Sequence, residues 1–154
     1  MNGRSRRPPL DRVNALLSFT YALMLTDCTA ALTAAGLDPD VGFLHTDRPG
    51  RASLALDLLE EFRTLVADRL VLALINRQQI TRDDFVDRDG GSVELTSIGR
   101  KALVQAYVAR KRDEIAHPLL ETNVRVGQLP FLQAKLLARH LRGDSDVYLP
   151  CILR

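Results

Sequence analysis

The sequence has 154 residues, which fits one domain able to bury about two-thirds of its unfolded surface. Hydrophobic residues make up 46% and charged residues 26%, so the composition excludes both a disordered chain and a typical membrane protein. The formal net charge is only +2 and indicates no particular partner, although 18 of the 21 basic residues are arginine, whose planar fork suits phosphate and carboxylate.

Neither the cysteines nor the first residues indicate export. Cys28 lies in an apolar helical pattern and Cys151 lies near the end, without metal or redox spacing, which predicts a reduced, cytoplasmic chain. The first nine residues are basic and rich in proline, unlike a secretory signal. The longest apolar run, residues 15–25, is too short to span a bilayer, so no membrane contact is predicted.

The pattern along the chain predicts a mainly α, multi-helix domain with one small β-hairpin. The first helix is expected to begin at a cap, Asp11 or Asn14, and to be stopped by Gly36. The elements expected after it are a helix over 53–76, a turn capped by Thr81, a hairpin over 85–95, a helix from the Thr96 cap to about 116, a helix over about 129–142 and an extended tail over 147–150.

The candidate site lies between residues 42 and 63. His45 follows a short apolar run and precedes a turn-forming stretch, 47–50, so it is expected on a loop. In the helix that follows, Asp57, Glu60 and Glu61 share one side, so an imidazole and carboxylates can converge. One nitrogen with several hard oxygens suits Mn²⁺ or Mg²⁺. The same spacing also fits an ordinary solvated helix face, and spacing alone favours that interpretation.

Four stretches of the sequence match one family in residue type, spacing and order. They are RRPPLDRVNALLSFTYALML (6–25), GFLHTDRPGRASLALDLLEEFR (42–63), LTSIGRKAL (95–103) and VYLPCILR (147–154). Together they resemble the C-terminal helical domain of the CRISPR adaptation integrase, the first of the CRISPR-associated (Cas) proteins. The resemblance covers almost the whole chain. It implies a metal-dependent DNA endonuclease and integrase that, with the second Cas adaptation protein, inserts foreign DNA fragments into the CRISPR array.

The resemblance also implies a Mg²⁺ or Mn²⁺ site held by a glutamate, a histidine and an acidic residue. His45 matches the histidine and Glu60 the acidic ligand, which makes them the implied catalytic residues, with Asp57 as a helper or alternative ligand. The family's first glutamate and its N-terminal β-rich domain, which mediates much of its dimerisation, have no match here. We therefore expect residues 1–154 to be an isolated C-terminal domain, with little activity alone and a homodimer only in the full-length protein.

Arginines close in sequence to this site are candidates for holding the phosphates of the spacer precursor and of the CRISPR repeat. Position alone supports this assignment. They are Arg6, Arg7, Arg48, Arg51 and Arg63.

Two other classes of protein fit parts of the sequence. The hairpin followed by LTSIGRKALVQAY resembles the wing of a winged-helix regulator, but the preceding segment, 53–76, is apolar and acidic and would repel phosphate. A non-catalytic helical interaction module would keep the same apolar faces around a dead site. That alternative predicts that His45→Ala changes neither metal affinity nor DNA processing by the full-length protein.

Overall fold

The computed structural model describes residues 9, 11–46, 48–117, 120 and 122–151. Within these ranges the predicted mainly helical class is confirmed. The helices are α1 (Arg12–Ala34), α2 (Ser53–Phe62), α3 (Arg69–Asn76), α4 (Ser97–Arg110) and α5 (Leu129–Leu141). The strands are β1 (Phe85–Asp87), β2 (Val93–Leu95), β3 (Glu114–Ala116) and β4 (Asn123–Arg125).

Helix α1 is the central element of the core. Asp11 is its N-cap, because its carboxylate accepts the backbone N–H of Asn14 at 2.8 Å. Gly36, with a φ of +77°, follows the last turn and ends the helix as predicted. The helix packs against both α2 and α5.

By length and composition α1 could cross a membrane, because it runs for 23 residues. The apolar run 15–25, from which no membrane contact was predicted, is therefore shorter than the helix that contains it. The core helix of a soluble protein passes the same test. In the structure α1 buries Leu16, Met24, Cys28 and Leu32 within the hydrophobic cluster of the domain, which is the packing of a core helix.

The helix predicted over 53–76 is a continuous rod whose winding changes in the middle. Helix α2 leads into a π-helical segment, Arg63–Asp68, which leads into α3. Leu65, Val66 and Ala67 are consecutive and all buried, which the narrow apolar stripe of a surface α-helix does not provide. Wider π turns of this kind are rare and are often found near functional sites.

The hairpin predicted over 85–95 is confirmed. Phe85 pairs with Leu95 across β1 and β2, and Gly90 and Gly91 form the turn with positive φ angles of 90° and 80°. Thr96 caps α4 as predicted, since its hydroxyl accepts the Gly99 N–H at 3.1 Å.

The helix predicted from Thr96 to about 116 is correct up to Arg110 and wrong over its last six residues. Helix α4 ends at Arg110, and β3 then pairs with β4 in a second hairpin that places Ile115 opposite Val124. The Lys111 carbonyl accepts the Gly127 N–H at 3.0 Å, and the 3₁₀ turn Val126–Gln128 leads into α5. Pairing between β3 and β4 therefore decides this structure, and no glycine turn marks it in the sequence as one marks the first hairpin.

The rod α2 to α3 is part of the core, which bears on the winged-helix alternative. Leu70, Val71 and Leu74 are buried, so α3 contributes its apolar face to the hydrophobic cluster. A recognition helix needs a free face of base-reading side chains, and the acidic side chains of α2 do not supply one. The hairpin before α4 therefore resembles the wing of a winged-helix protein only in its position along the sequence, because no recognition helix precedes it.

Candidate metal and nucleic-acid site

Asp57 holds the loop that carries His45 against helix α2. Its Oδ2 accepts the backbone N–H groups of Phe43 at 2.7 Å and Leu44 at 2.9 Å. Its Oδ1 accepts the backbone N–H of His45 at 3.0 Å and lies 2.5 Å from the same residue's Nδ1. Four donors therefore converge on one carboxylate, and Asp57 functions in this structure as the anchor of the loop.

The contact with Asp57 determines which ring nitrogen of His45 carries the proton. Burial by itself would raise the pKa of Asp57, but the hydrogen bonds from Leu44, the His45 side chain and Phe43 outweigh it and lower the pKa below its ordinary value. An ionised carboxylate only accepts hydrogen bonds, so Nδ1 of His45 must carry the proton. When the imidazole is neutral, Nε2 of His45 is then the lone-pair nitrogen, and it is the atom left for a metal ion.

Glu60 lies one turn after Asp57 and remains accessible. Its side chain is 43% exposed and forms an ion pair with Arg63, with contacts of 2.9 and 3.1 Å. His45 and Glu60 both line a groove of about 210 Å³ between α1 and α2. The other polar side chains along this groove are those of Ser18, Tyr21, Arg51 and Arg63.

The structure brings most of the predicted site residues together. His45, Glu60, Arg51 and Arg63 line one groove, while Asp57 acts behind His45. Arg48 is exposed but does not line the groove, and Arg6 and Arg7 fall outside the described residues. Within the described ranges, no group of three or more His, Cys, Asp or Glu side chains is arranged to hold a metal ion.

Glu61 does not face the groove with Glu60. Its carboxylate accepts the hydroxyl of Tyr148, the side-chain amide of Gln133 at 2.9 Å and the backbone N–H of Cys151 at 2.8 Å. The tail after α5 is therefore tied back onto α2. The sequence offered one signal for this contact, because Gln133 is a polar residue among the apolar residues of α5, and the structure buries it completely.

A second, largely apolar groove of about 580 Å³ also borders Glu60. Phe43 and Leu44 lie on one side, 68% and 81% exposed, and Tyr148 and Pro150 of the tail also line it. No role for these residues was predicted from the sequence.

Gly42 permits the close approach between the His45 loop and α2. A Cβ at this position would lie 2.6 Å from the Cβ of Ser53 and 2.9 Å from the carbonyl oxygen of His45. We expect Gly42→Ala to lower the unfolding free energy by about 1–3 kcal/mol, because the backbone of the loop must move. Urea unfolding measures this change. An unchanged free energy of unfolding in Gly42→Ala would contradict the steric argument.

The fold places the chain in a class shared by casposase and Cas1 proteins. A solved casposase bound to its integration product matches with a TM-score of 0.85 and 26% identity, covering 96% of this chain and 44% of that one. A CAS1 protein from Thermotoga maritima matches with a TM-score of 0.83 and 34% identity, covering 91% and 43%.

Sequence relatives define the family. The family model described as CRISPR associated protein Cas1 matches residues 1–109. The chain is 55% identical over 151 residues to a CRISPR-associated endonuclease Cas1 of Moorella thermoacetica, and 58% identical over 148 residues to one of Rhodospirillum rubrum. These alignments cover 98% and 96% of the chain but 44% and 43% of the relatives. The chain therefore belongs to the Cas1 family and spans less than half the length of these curated relatives, corresponding to their C-terminal portion.

Proposed function

We propose that this chain forms the C-terminal, DNA-processing portion of a metal-dependent endonuclease and integrase that acts in CRISPR adaptation. Its relatives are named endonucleases, and one structural neighbour is a casposase bound to an integration product. The observation that carries the proposal is the Asp57–His45 pair, which leaves Nε2 of His45 as a metal-binding nitrogen in the same groove as Glu60.

The donor set of the groove fits a divalent cation such as Mn²⁺ or Mg²⁺. His45 and Glu60 supply one imidazole nitrogen and one carboxylate, and Asp57 orients the imidazole from behind, as carboxylates behind metal-binding histidines do. A bound ion would polarise a phosphodiester and lower the pKa of a water molecule or hydroxyl nucleophile. Within the described ranges no third His, Cys, Asp or Glu side chain joins His45 and Glu60 in a group arranged to hold an ion.

The arginines of the groove have a separate task. Arg51 and Arg63 place guanidinium groups beside His45 and Glu60, where they can bind phosphates of DNA. Arg63 also pairs with Glu60, so it limits the freedom of that carboxylate before DNA arrives. Arg6, Arg7 and Arg48 stay proposed DNA contacts on the basis of their position in the sequence.

The proposed partners are DNA and a second Cas adaptation protein. Two structural neighbours are Cas6-RT-Cas1–Cas2 complexes that match with a TM-score of 0.80 and 26% identity. For the full-length protein we propose a homodimer that acts in the cytoplasm on spacer-precursor and repeat DNA. With only two proposed ligands, residues 1–154 alone are expected to bind metal weakly and to cleave DNA little.

Mn²⁺ binding by the chain tests the proposed site. Because His45 supplies the only nitrogen ligand proposed for the ion, His45→Ala is expected to weaken binding at least about tenfold, as seen for changes at metal sites. The titration is followed by the electron paramagnetic resonance signal of free Mn²⁺. Glu60→Gln should also weaken binding, because an amide replaces a charged ligand.

His140→Ala is the matched control for this titration. His140 does not line the His45 groove, although it lines the apolar groove that also borders Glu60, and its Nδ1 contacts the Ser145 carbonyl oxygen at 2.9 Å, so its loss should leave Mn²⁺ binding unchanged. Equal affinity of the wild type and His45→Ala, with folding intact by circular dichroism, would exclude the metal site and support the non-catalytic module.

A further inference from the structure

A second polar groove, of about 530 Å³, lies between α3 and α4 and shares no lining residue with the His45 groove. Arg69 and Arg77 border it from the start and just beyond the end of α3, and Arg110 borders it from the end of α4. Among the described residues that line it, Asp113 is the only carboxylate. Three guanidinium groups therefore surround one groove.

One of these arginines is held in place by the protein and two are not. Arg110 donates to Asp113 at 2.8 Å and to the Leu65 carbonyl oxygen at 3.4 Å, so its orientation is fixed. Arg69 and Arg77 are exposed, and in the part of the chain that the structure describes neither forms an ion pair. The groove thus keeps two positive charges without a carboxylate partner.

The helix end explains only part of this charge. A cation beyond the C-terminal end of α3 is favoured by the helix dipole, which accounts for Arg77. It does not account for Arg69 at the opposite end, nor for the convergence of both with Arg110. Positively charged side chains that line one groove repel one another modestly, and together they attract an anion.

We propose that this groove binds the phosphodiester backbone of DNA as a contact surface separate from the His45 groove. The inference rests on the proposed function, because that function makes DNA the polyanion that this chain is expected to bind. Guanidinium forks match phosphate oxygens in geometry as well as in charge. Arg69 and Arg77 are eight residues apart, about 12 Å along a helix axis, which equals roughly three to four nucleotide steps of one strand.

The two grooves lie along the same continuous rod. Glu60 and Arg69 are nine residues apart in it, which corresponds to at most about 13 Å along its axis, because the π-helical segment between them rises less per residue than an α-helix. The contact from Arg110 to Leu65 attaches α4 to the π-helical segment between them. DNA that leaves the His45 groove would therefore reach the arginines within a few nucleotides.

The test is the salt dependence of binding to a short fluorescent DNA duplex, measured by anisotropy with the chain in EDTA. Each phosphate contact contributes about 0.9 to the slope of log Kobs against log salt concentration. The double variant Arg69→Gln/Arg77→Gln is expected to have a slope shallower by roughly 1.8 than the wild type, because two phosphate contacts are lost.

The matched control removes two arginines elsewhere. Arg88→Gln/Arg142→Gln changes the net charge equally, but those side chains already pair with Glu94 and Asp144, so the slope should not change. An unchanged slope in the Arg69/Arg77 variant, an equal change in the control, or no duplex binding by the wild type would each overturn the inference.

Two further measurements separate this inference from the proposed metal site. EDTA removes divalent ions, so the DNA result does not depend on His45. Mn²⁺ binding by the Arg69/Arg77 variant should equal that of the wild type. Suppose that His45→Ala left Mn²⁺ binding unchanged while the Arg69/Arg77 variant showed the expected shallower slope of log Kobs against log salt concentration. The proposed metal site would then be wrong, and the second DNA surface would be supported.

Discussion

Replacing Glu61 with alanine is expected to lower the unfolding free energy by about 3–5 kcal/mol, because each buried donor left without a partner costs about 1–3 kcal/mol. The donors left without a partner are the Tyr148 hydroxyl and the Cys151 N–H, and both belong to the tail. The Gln133 amide loses its bond to Glu61 but keeps the Leu149 carbonyl oxygen, at 3.1 Å, as an acceptor. Urea unfolding gives the free energy, and limited proteolysis reports release of residues 147–151.

The neighbouring residue provides the control for this change. Glu60→Ala removes an equal charge, but Glu60 is 43% exposed and its pair with Arg63 lies at the surface. Such a pair contributes at most about 1 kcal/mol, so the Glu60 variant should unfold almost like the wild type. If the two variants lost similar stability, the attachment of the tail by Glu61 would be wrong.

Replacing Asp57 with asparagine is expected to weaken Mn²⁺ binding about 10- to 100-fold, because the carboxylate behind a ligating histidine sets its tautomer and orientation. One half of the asparagine side chain presents N–H groups to the loop where Asp57 accepts hydrogen bonds. The backbone N–H groups of Phe43, Leu44 and His45 should then exchange with solvent much faster. Hydrogen exchange and the Mn²⁺ titration measure the two effects.

Asp38→Asn controls for the loss of a charge in the same connecting segment. Asp38 accepts one exposed backbone N–H, that of Asp40 at 3.0 Å, and touches neither His45 nor the groove. It should leave both measurements unchanged. Normal protection of residues 43–45 in Asp57→Asn would show that the carboxylate does not hold the loop.

Local signals were sufficient for most of the fold. The Asp11 and Thr96 caps and the glycine turn of the first hairpin each act within a few residues, so the sequence pattern predicted them correctly. The second hairpin pairs Glu114 with Arg125 across a connection that contains no glycine, so no glycine turn marks it in the sequence.

The sequence predicted several of the residues that line the His45 groove. It did not predict that the three carboxylates, Asp57, Glu60 and Glu61, make different contacts. Helical spacing placed Asp57, Glu60 and Glu61 on one side and predicted that they could converge on a metal. The structure gives them three different surroundings: a loop anchor, a groove and the C-terminal tail. Those roles depend on where the loop and the tail return to α2, and spacing along one helix contains no such information.

The six residues of π-helical winding have a consequence for how the two grooves are oriented. In a strictly α-helical rod each residue turns the next by about 100°, so the direction of Glu60 would dictate that of Arg69. The wider turns of Arg63–Asp68 rotate successive residues by a different angle, so this relation between Glu60 and Arg69 does not hold. The direction of Arg69 relative to Glu60 thus depends on how many residues adopt the wider winding, and a change in this segment would rotate one groove relative to the other.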